Sequence, residues 1–130
     1  MTIDGTSVIG TLDLANHNVE TVNASNVENG GTFDGSTVTG SRIIVTGTQG
    51  DDTVIGSVLN DSINGNDGDD TISGGDGGDT ITGGLGADNL DGGAGNDLLN
   101  VDSDDIAFGS IQGGAGTDRI VIANLSLIHI

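Results

Sequence analysis

Six aspartates stand nine residues apart in the middle of this chain: Asp52, Asp61, Asp70, Asp79, Asp88 and Asp97. A carboxylate is a hard, charged oxygen donor. Glycines surround each of these, and a glycine-rich backbone folded into tight turns adds carbonyl oxygens. Carboxylates together with carbonyls are the donor set that Ca²⁺ selects. The chemistry on offer is therefore cation binding. Catalysis is poorly provided for, because the chain has no cysteine and only two histidines. His17 sits in a polar Asn16-His17-Asn18 turn and reads as a surface residue, and His129 falls in the last six residues. No H-E-x-x-H, G-x-S-x-G or S-x-x-K string occurs, so no metalloprotease helix or activated serine is expected and the chain by itself reads as no enzyme.

Holding the aspartates in place requires repeated elements, and the sequence supplies them. From Gly47 to Asn100 it divides without remainder into six blocks of nine: GTQGDDTVI, GSVLNDSIN, GNDGDDTIS, GGDGGDTIT, GGLGADNLD and GGAGNDLLN. Position one is always glycine and position six always aspartate. Position eight is always aliphatic: Val54, Ile63, Ile72, Ile81, Leu90 and Leu99. Glycines at positions one, two and four permit the positive-φ backbone of a tight turn. Thr or Ser at position seven favours extended backbone, so positions seven to nine read as a three-residue strand with position eight pointing inward. Two blocks then form one rung, with a turn and a strand on each side. A disordered acidic linker is the plain alternative, but such linkers do not keep an aliphatic residue at every ninth position.

Stacking these rungs places Asp52, Asp70 and Asp88 in one column and Asp61, Asp79 and Asp97 in the other. Neighbouring rungs lie about 4.8 Å apart, and two carboxylates at that spacing repel by roughly 3 kcal/mol at an effective dielectric of about 20. A cation between each pair reverses the sign, and the six blocks have room for up to four such sites. Six buried aliphatic side chains are a small core for so many glycines, so metal binding and folding are expected to be coupled. Asp51, Asp67, Asp69, Asp76 and Asp91 lie outside position six and read as solvated charge.

A seventh block, GGAGTDRIV from Gly113 to Val121, follows a stretch from Val101 to Gln112 that is longer than one block. Asp118 is its position-six residue and a further candidate ligand. Asp102, Asp104 and Asp105 fall in the inserted stretch, where they could extend a calcium column but read more readily as a solvated loop. The chain therefore divides into a β-rich capping segment over 1–46, a six-block roll over 47–100, an insertion with the seventh repeat over 101–124, and a tail over 125–130. The tail, Leu-Ser-Leu-Ile-His-Ile, looks like a translated sequencing-transposon end, so the natural chain is expected to continue beyond it.

The overall charge agrees with a cation-binding role. Acids outnumber bases 20 to 2, for a net charge of −18, which repels nucleic acid and anionic membranes alike. No run of 18 apolar residues is present, so membrane insertion is not expected, and Met1 is not followed by a secretory signal pattern.

The blocks resemble the repeats-in-toxin, or hemolysin-type, calcium-binding consensus G-G-x-G-x-D-x-U-x, strongly over 47–100 and again over 113–121. The resemblance implies an all-β fold, a right-handed parallel β-roll (a β-solenoid) of 18-residue rungs with Ca²⁺ held between turns of successive rungs. It implies ligation by the position-six aspartates and by loop carbonyls, carried here to Gly50, Gly68, Gly77, Gly86 and Gly95. Leu59 departs from the pattern at position four, which makes its turn distorted and its site weak. The resemblance further implies a secreted or cell-surface protein exported by a type I system, unfolded in low cytosolic calcium and folded outside. The segments Val19–Ser25 and Arg42–Thr46 are β-favouring between Gly/Asn turns and look like the irregular β-helical rungs that precede such repeats in adhesin-type and surface-layer proteins. The alternative parent is a secreted metalloprotease or lipase carrying this module at its C-terminal end. Partners beyond calcium reduce to a surface or host ligand recognised through the parent, with the module itself monomeric. Ice binding is disfavoured because position three, which reads Gln49, Val58, Asp67, Asp76, Leu85 and Ala94, carries no Thr/Asn array.

Overall fold

The computed structural model describes residues 11–13 and 21–123; His17 and the 125–130 tail lie outside them. Among the described residues, thirteen strands and one short helix follow the chain in order: β1 (Thr11–Asp13), β2 (Thr21–Asn23), β3 (Thr32–Asp34), β4 (Ile44–Thr46), β5 (Thr53–Ile55), β6 (Ser62–Asp67), β7 (Thr71–Asp76), β8 (Thr80–Leu85), β9 (Asn89–Gly95), β10 (Leu98–Val101), α1 (Ser103–Phe108), β11 (Ser110–Gln112), β12 (Ala115–Gly116) and β13 (Arg119–Ile122). Successive strands alternate between two parallel sheets. One runs β1-β3-β5-β7-β9-β11, with β12 also on β9, and the other runs β2-β4-β6-β8-β10-β13. This is the expected β-solenoid, and the expected irregular rungs precede the repeats in the same two sheets.

Register explains why position eight is aliphatic. Phe33, Val54, Ile72 and Leu90 are stacked partners in one sheet, and Val22, Val45, Ile63, Ile81 and Leu99 in the other. All of these are buried. Each strand is flanked by exposed or half-buried residues at positions seven and nine, so a single inward side chain per strand forms the core between the sheets. The position-seven amides continue this ladder, with Thr71 N–H donating to Asp52 O and Leu98 N–H to Asp79 O, both at 2.8 Å.

Strands β6 to β8 are six residues long rather than three. Parallel pairing carries on through the mouth of the next turn, where Asn66 pairs with Gly84 and Gly75 with Gly93. Backbone groups in these turns cannot reach one another within a block, so they bond to the rung above or below instead. Among the described residues no helix is long and apolar enough to cross a membrane.

Candidate metal centre

All six position-six aspartates turn inward at the corners of the roll, and their exposure lies between 0% and 3%. Burying so many carboxylates demands donors or counter-charge. Half of the demand is met along each column. Asp70 Oδ1 accepts the N–H of Asp52 at 2.8 Å, and Asp88 Oδ1 accepts that of Asp70 at 2.8 Å. On the other side Asp79 Oδ1 accepts from Asp61 N at 2.7 Å and Asp97 Oδ1 from Asp79 N at 2.8 Å. Each corner thus hangs from the rung before it, 18 residues away.

The second oxygen tells the corners apart. Oδ2 of Asp70, Asp79, Asp88 and Asp97 is buried without any hydrogen-bond partner. Three of these oxygens, those of Asp70, Asp79 and Asp97, also face a carbonyl oxygen. A point beside Gly65, where a Cβ would lie, is in contact range of both Asp70 Oδ2 and the carbonyl oxygen of Gly83. Beside Gly74 the pair is Asp79 Oδ2 with Gly92 O, and beside Gly92 it is Asp97 Oδ2 with Gly113 O. Oxygen facing oxygen in a buried corner, with no donor present, fits a bound cation. Among the described residues no three acidic or imidazole side chains converge, so the remaining ligands of such an ion are backbone oxygens or water. That mixture suits Ca²⁺.

The same geometry revises the reason for glycine at position one. The glycines with positive φ in these blocks are Gly75, Gly84 and Gly93 at position two, and Gly68, Gly77, Gly86 and Gly95 at position four; Asn66 adopts φ 90° at position two of the third block. Position one is not among them. At Gly47, Gly56, Gly65, Gly74 and Gly92 the Asp Oδ2 and the next rung's carbonyl occupy the space a side chain would need, and at Gly83 the Asp88 carboxylate alone does. The position-one carbonyls of Gly83, Gly92 and Gly113 are thereby placed against the carboxylates of Asp70, Asp79 and Asp97. The position-four carbonyls of Gly68 and Gly77 instead abut Gly86 and Gly95 of the following rung.

Both columns continue past the sixth block. Asp118 Oδ1 accepts Asp97 N at 3.0 Å, as its place in the seventh block predicts. The other column is completed by Asp105, which is buried, where the sequence suggested a solvated loop. Asp102 caps α1, its side chain accepting from Asp104 N and Asp105 N, while Asp105 Oδ2 accepts Asp102 N at 2.8 Å. This reciprocal capping box turns Asp105 Oδ1 toward Asp88 N, also at 2.8 Å. The D-x-x-D spacing of Asp102 and Asp105 was the available signal. A second column was also missed at position five: Asp51 Oδ1 accepts from Asp69 N, Asp69 Oδ1 from Ala87 N, and Asn60 Oδ1 from Gly78 N. Exposed charges there are rung-to-rung connectors as well.

The family model for the RTX calcium-binding nonapeptide repeat (4 copies) matches residues 46–81 and again residues 73–105. This stretch consists of RTX calcium-binding repeats. No curated protein matches the chain. RTX nonapeptide repeats bind Ca²⁺, the ion the orphaned carboxylate oxygens call for, and the RTX repeat is a structural calcium-binding domain typical of secreted proteins.

Burial also sets the protonation of the RTX corners. Desolvation, with repulsion from stacked neighbours, pushes Asp70 up to about 7 and Asp79 to about 6. Asp88 rises to about 7, through burial first and then the adjacent Asp105. Asp52 is also raised by burial, against the opposing donors from Thr48 and Gly31. Between the ordinary aspartate value of 3.8 and these raised values the metal-free roll holds protons that the unfolded chain has released. Its stability is therefore full at low pH and lost as pH rises through the raised values. In excess chelator the β-sheet circular dichroism signal is expected to grow when pH falls from about 7.5 to about 5, a window spanning those values. A signal that shrinks on acidification contradicts the burial argument.

Proposed function

We propose that this chain is a calcium-dependent structural module of a protein exported by a type I system, unfolded in the cytosol and folded once outside. The observation that carries this reading is the set of four buried carboxylate oxygens with no donor. Each is an electrostatic penalty on the metal-free fold and an attachment point in the loaded one. The ligands in this reading come from the bare-cornered aspartates Asp70, Asp79, Asp88 and Asp97 and from Asp118, joined by loop carbonyls, with Ca²⁺ affinities of about 10⁻⁴–10⁻³ M as befits extracellular modules. A capping segment over 1–46 leads into the calcium-binding roll over 47–100 and its extension to 124. An adhesin-type or surface-layer parent is supported by the rungs before residue 47, which share both sheets with the repeats and so lengthen the rod. Scaffolding, rather than catalysis, is the role.

The test is a far-ultraviolet circular dichroism titration of the full chain from zero calcium, with Mg²⁺ as control. Calcium produces a cooperative gain of β-structure at near-millimolar concentration. Magnesium does not, because it requires compact octahedral geometry and gives up its waters reluctantly. β-structure already complete in excess chelator at neutral pH would overturn the coupling.

A further inference from the structure

We infer that the first rung of the repeat, cornered by Asp52 and Asp61, binds no calcium. Thr48 and Ser57 fill those corners with their own hydrogen-bond donors, and ion binding starts at Asp70 and Asp79. The inference deepens the calcium reading above and rests on it.

Asp52 is surrounded by donors. Thr48 N–H donates to Oδ2 at 2.6 Å, and Gly31 N–H and the Thr48 hydroxyl lie at 2.7 and 2.9 Å from Oδ1. Asp61 repeats the arrangement, with Ser57 N–H on Oδ2 at 2.5 Å and Ile43 N–H and the Ser57 hydroxyl on Oδ1 at 2.7 and 2.9 Å. In the four later corners the same Oδ2 atom is bare. A cation at Asp52 or Asp61 would have to displace an N–H whose positive end points at the same lone pairs.

Position two causes the difference. Thr48 and Ser57 stand where later blocks have Asn66, Gly75, Gly84 and Gly93, all at positive φ. A β-branched or hydroxyl side chain disfavours that conformation, so these two turns avoid it at position two. Gly50 is informative here. It keeps the position-four glycine of the consensus, yet it does not adopt the positive φ of Gly68, Gly77, Gly86 and Gly95. Its N–H instead donates to the Thr48 hydroxyl at 3.1 Å, and Leu59 N–H does the same to Ser57 at 3.1 Å. Both turns therefore close around the hydroxyl, whether position four is glycine or leucine. The expectation that Leu59 sets its turn apart thus gives way to Ser57 doing so.

The first rung consequently serves as a template that needs no metal. It is held from the preceding rungs through Gly31 and Ile43, and it offers Asp52 N–H and Asp61 N–H to the first bare-cornered aspartates, Asp70 and Asp79.

Crystals of the full chain grown with terbium in place of calcium test this by anomalous scattering. Peaks at about 2.3–2.6 Å from carboxylate oxygens, the calcium range, are expected at Asp70, Asp79, Asp88 and Asp97 and at neither Asp52 nor Asp61. A peak at Asp52 or Asp61 overturns this inference alone, whereas no peak at any corner overturns the calcium reading with it. In solution, isothermal titration of the Asp52→Asn, Asp61→Asn double variant, whose folding at saturating calcium is checked by circular dichroism, is expected to show the parent's number of bound calcium ions. Loss of one or more ions from that variant overturns the inference.

Discussion

Replacing Asp70 and Asp79 together with alanine is expected to abolish the calcium-induced folding transition at any millimolar calcium concentration. These residues are the two corners of one rung, one in each column, and each has a double role. Oδ1 holds the N–H of the preceding corner, and Oδ2 faces the next rung's carbonyl with nothing between them. Alanine removes the charged ligand and also strands the buried amides of Asp52 and Asp61, at about 1–3 kcal/mol each. In a stack whose rungs contact only their neighbours, breaking one rung on both sides uncouples the rungs before it from those after it. The exposed pair Asp67 and Asp76, replaced together with alanine, serves as the control and should leave the midpoint within two-fold of the parent. A double corner variant that folds at the parent's calcium concentration would show that these carboxylates are not the switch.

A single methyl group is expected to do nearly as much damage at Gly74 and none at Gly40. The Cβ of Gly74→Ala would occupy the point where Asp79 Oδ2 and Gly92 O converge. The substitution therefore excludes an ion and pushes apart two rungs whose backbones are already in contact. Its calcium midpoint should rise at least ten-fold, equivalent to about 1.4 kcal/mol. At Gly40 nothing lies within 4 Å of the added carbon. That substitution should fall within about 0.5 kcal/mol of the parent, or gain slightly from the lower entropy of the unfolded chain. Equal midpoints for the two variants would mean that position one is glycine for some reason other than the crowded corner.

Both expectations follow from the fact that the roll's core and its charged corners are separate structures. The aliphatic ladder through Ile63, Ile72, Ile81 and Leu90 sets the register but leaves the carboxylates unresolved. From Asp70 onward, capping by N–H groups settles only one oxygen of each. The other oxygen remains an electrostatic liability, and in the proposed function that liability makes the fold responsive to calcium.

The nine-residue period by itself determined the solenoid, its two columns of aspartates, its inward aliphatic ladder and the choice of calcium. Those features follow from local alternation and from identical blocks stacking in register, so each block announces its own place. The tertiary structure decided which carboxylate oxygens are satisfied. Thr48 and Ser57 stand where the consensus has glycine, and only the folded turn shows their N–H groups closing onto the Oδ2 that later corners leave bare. Asp105 looked like loop charge, and it enters the column only because a one-turn helix, capped by Asp102, aims it at Asp88 N. Position-one glycine looked like a turn residue, and its necessity comes from a carbonyl one rung away. For Asp105 and for position-one glycine the deciding contact joins different rungs of the stack, and a pattern read along the chain carries no record of it.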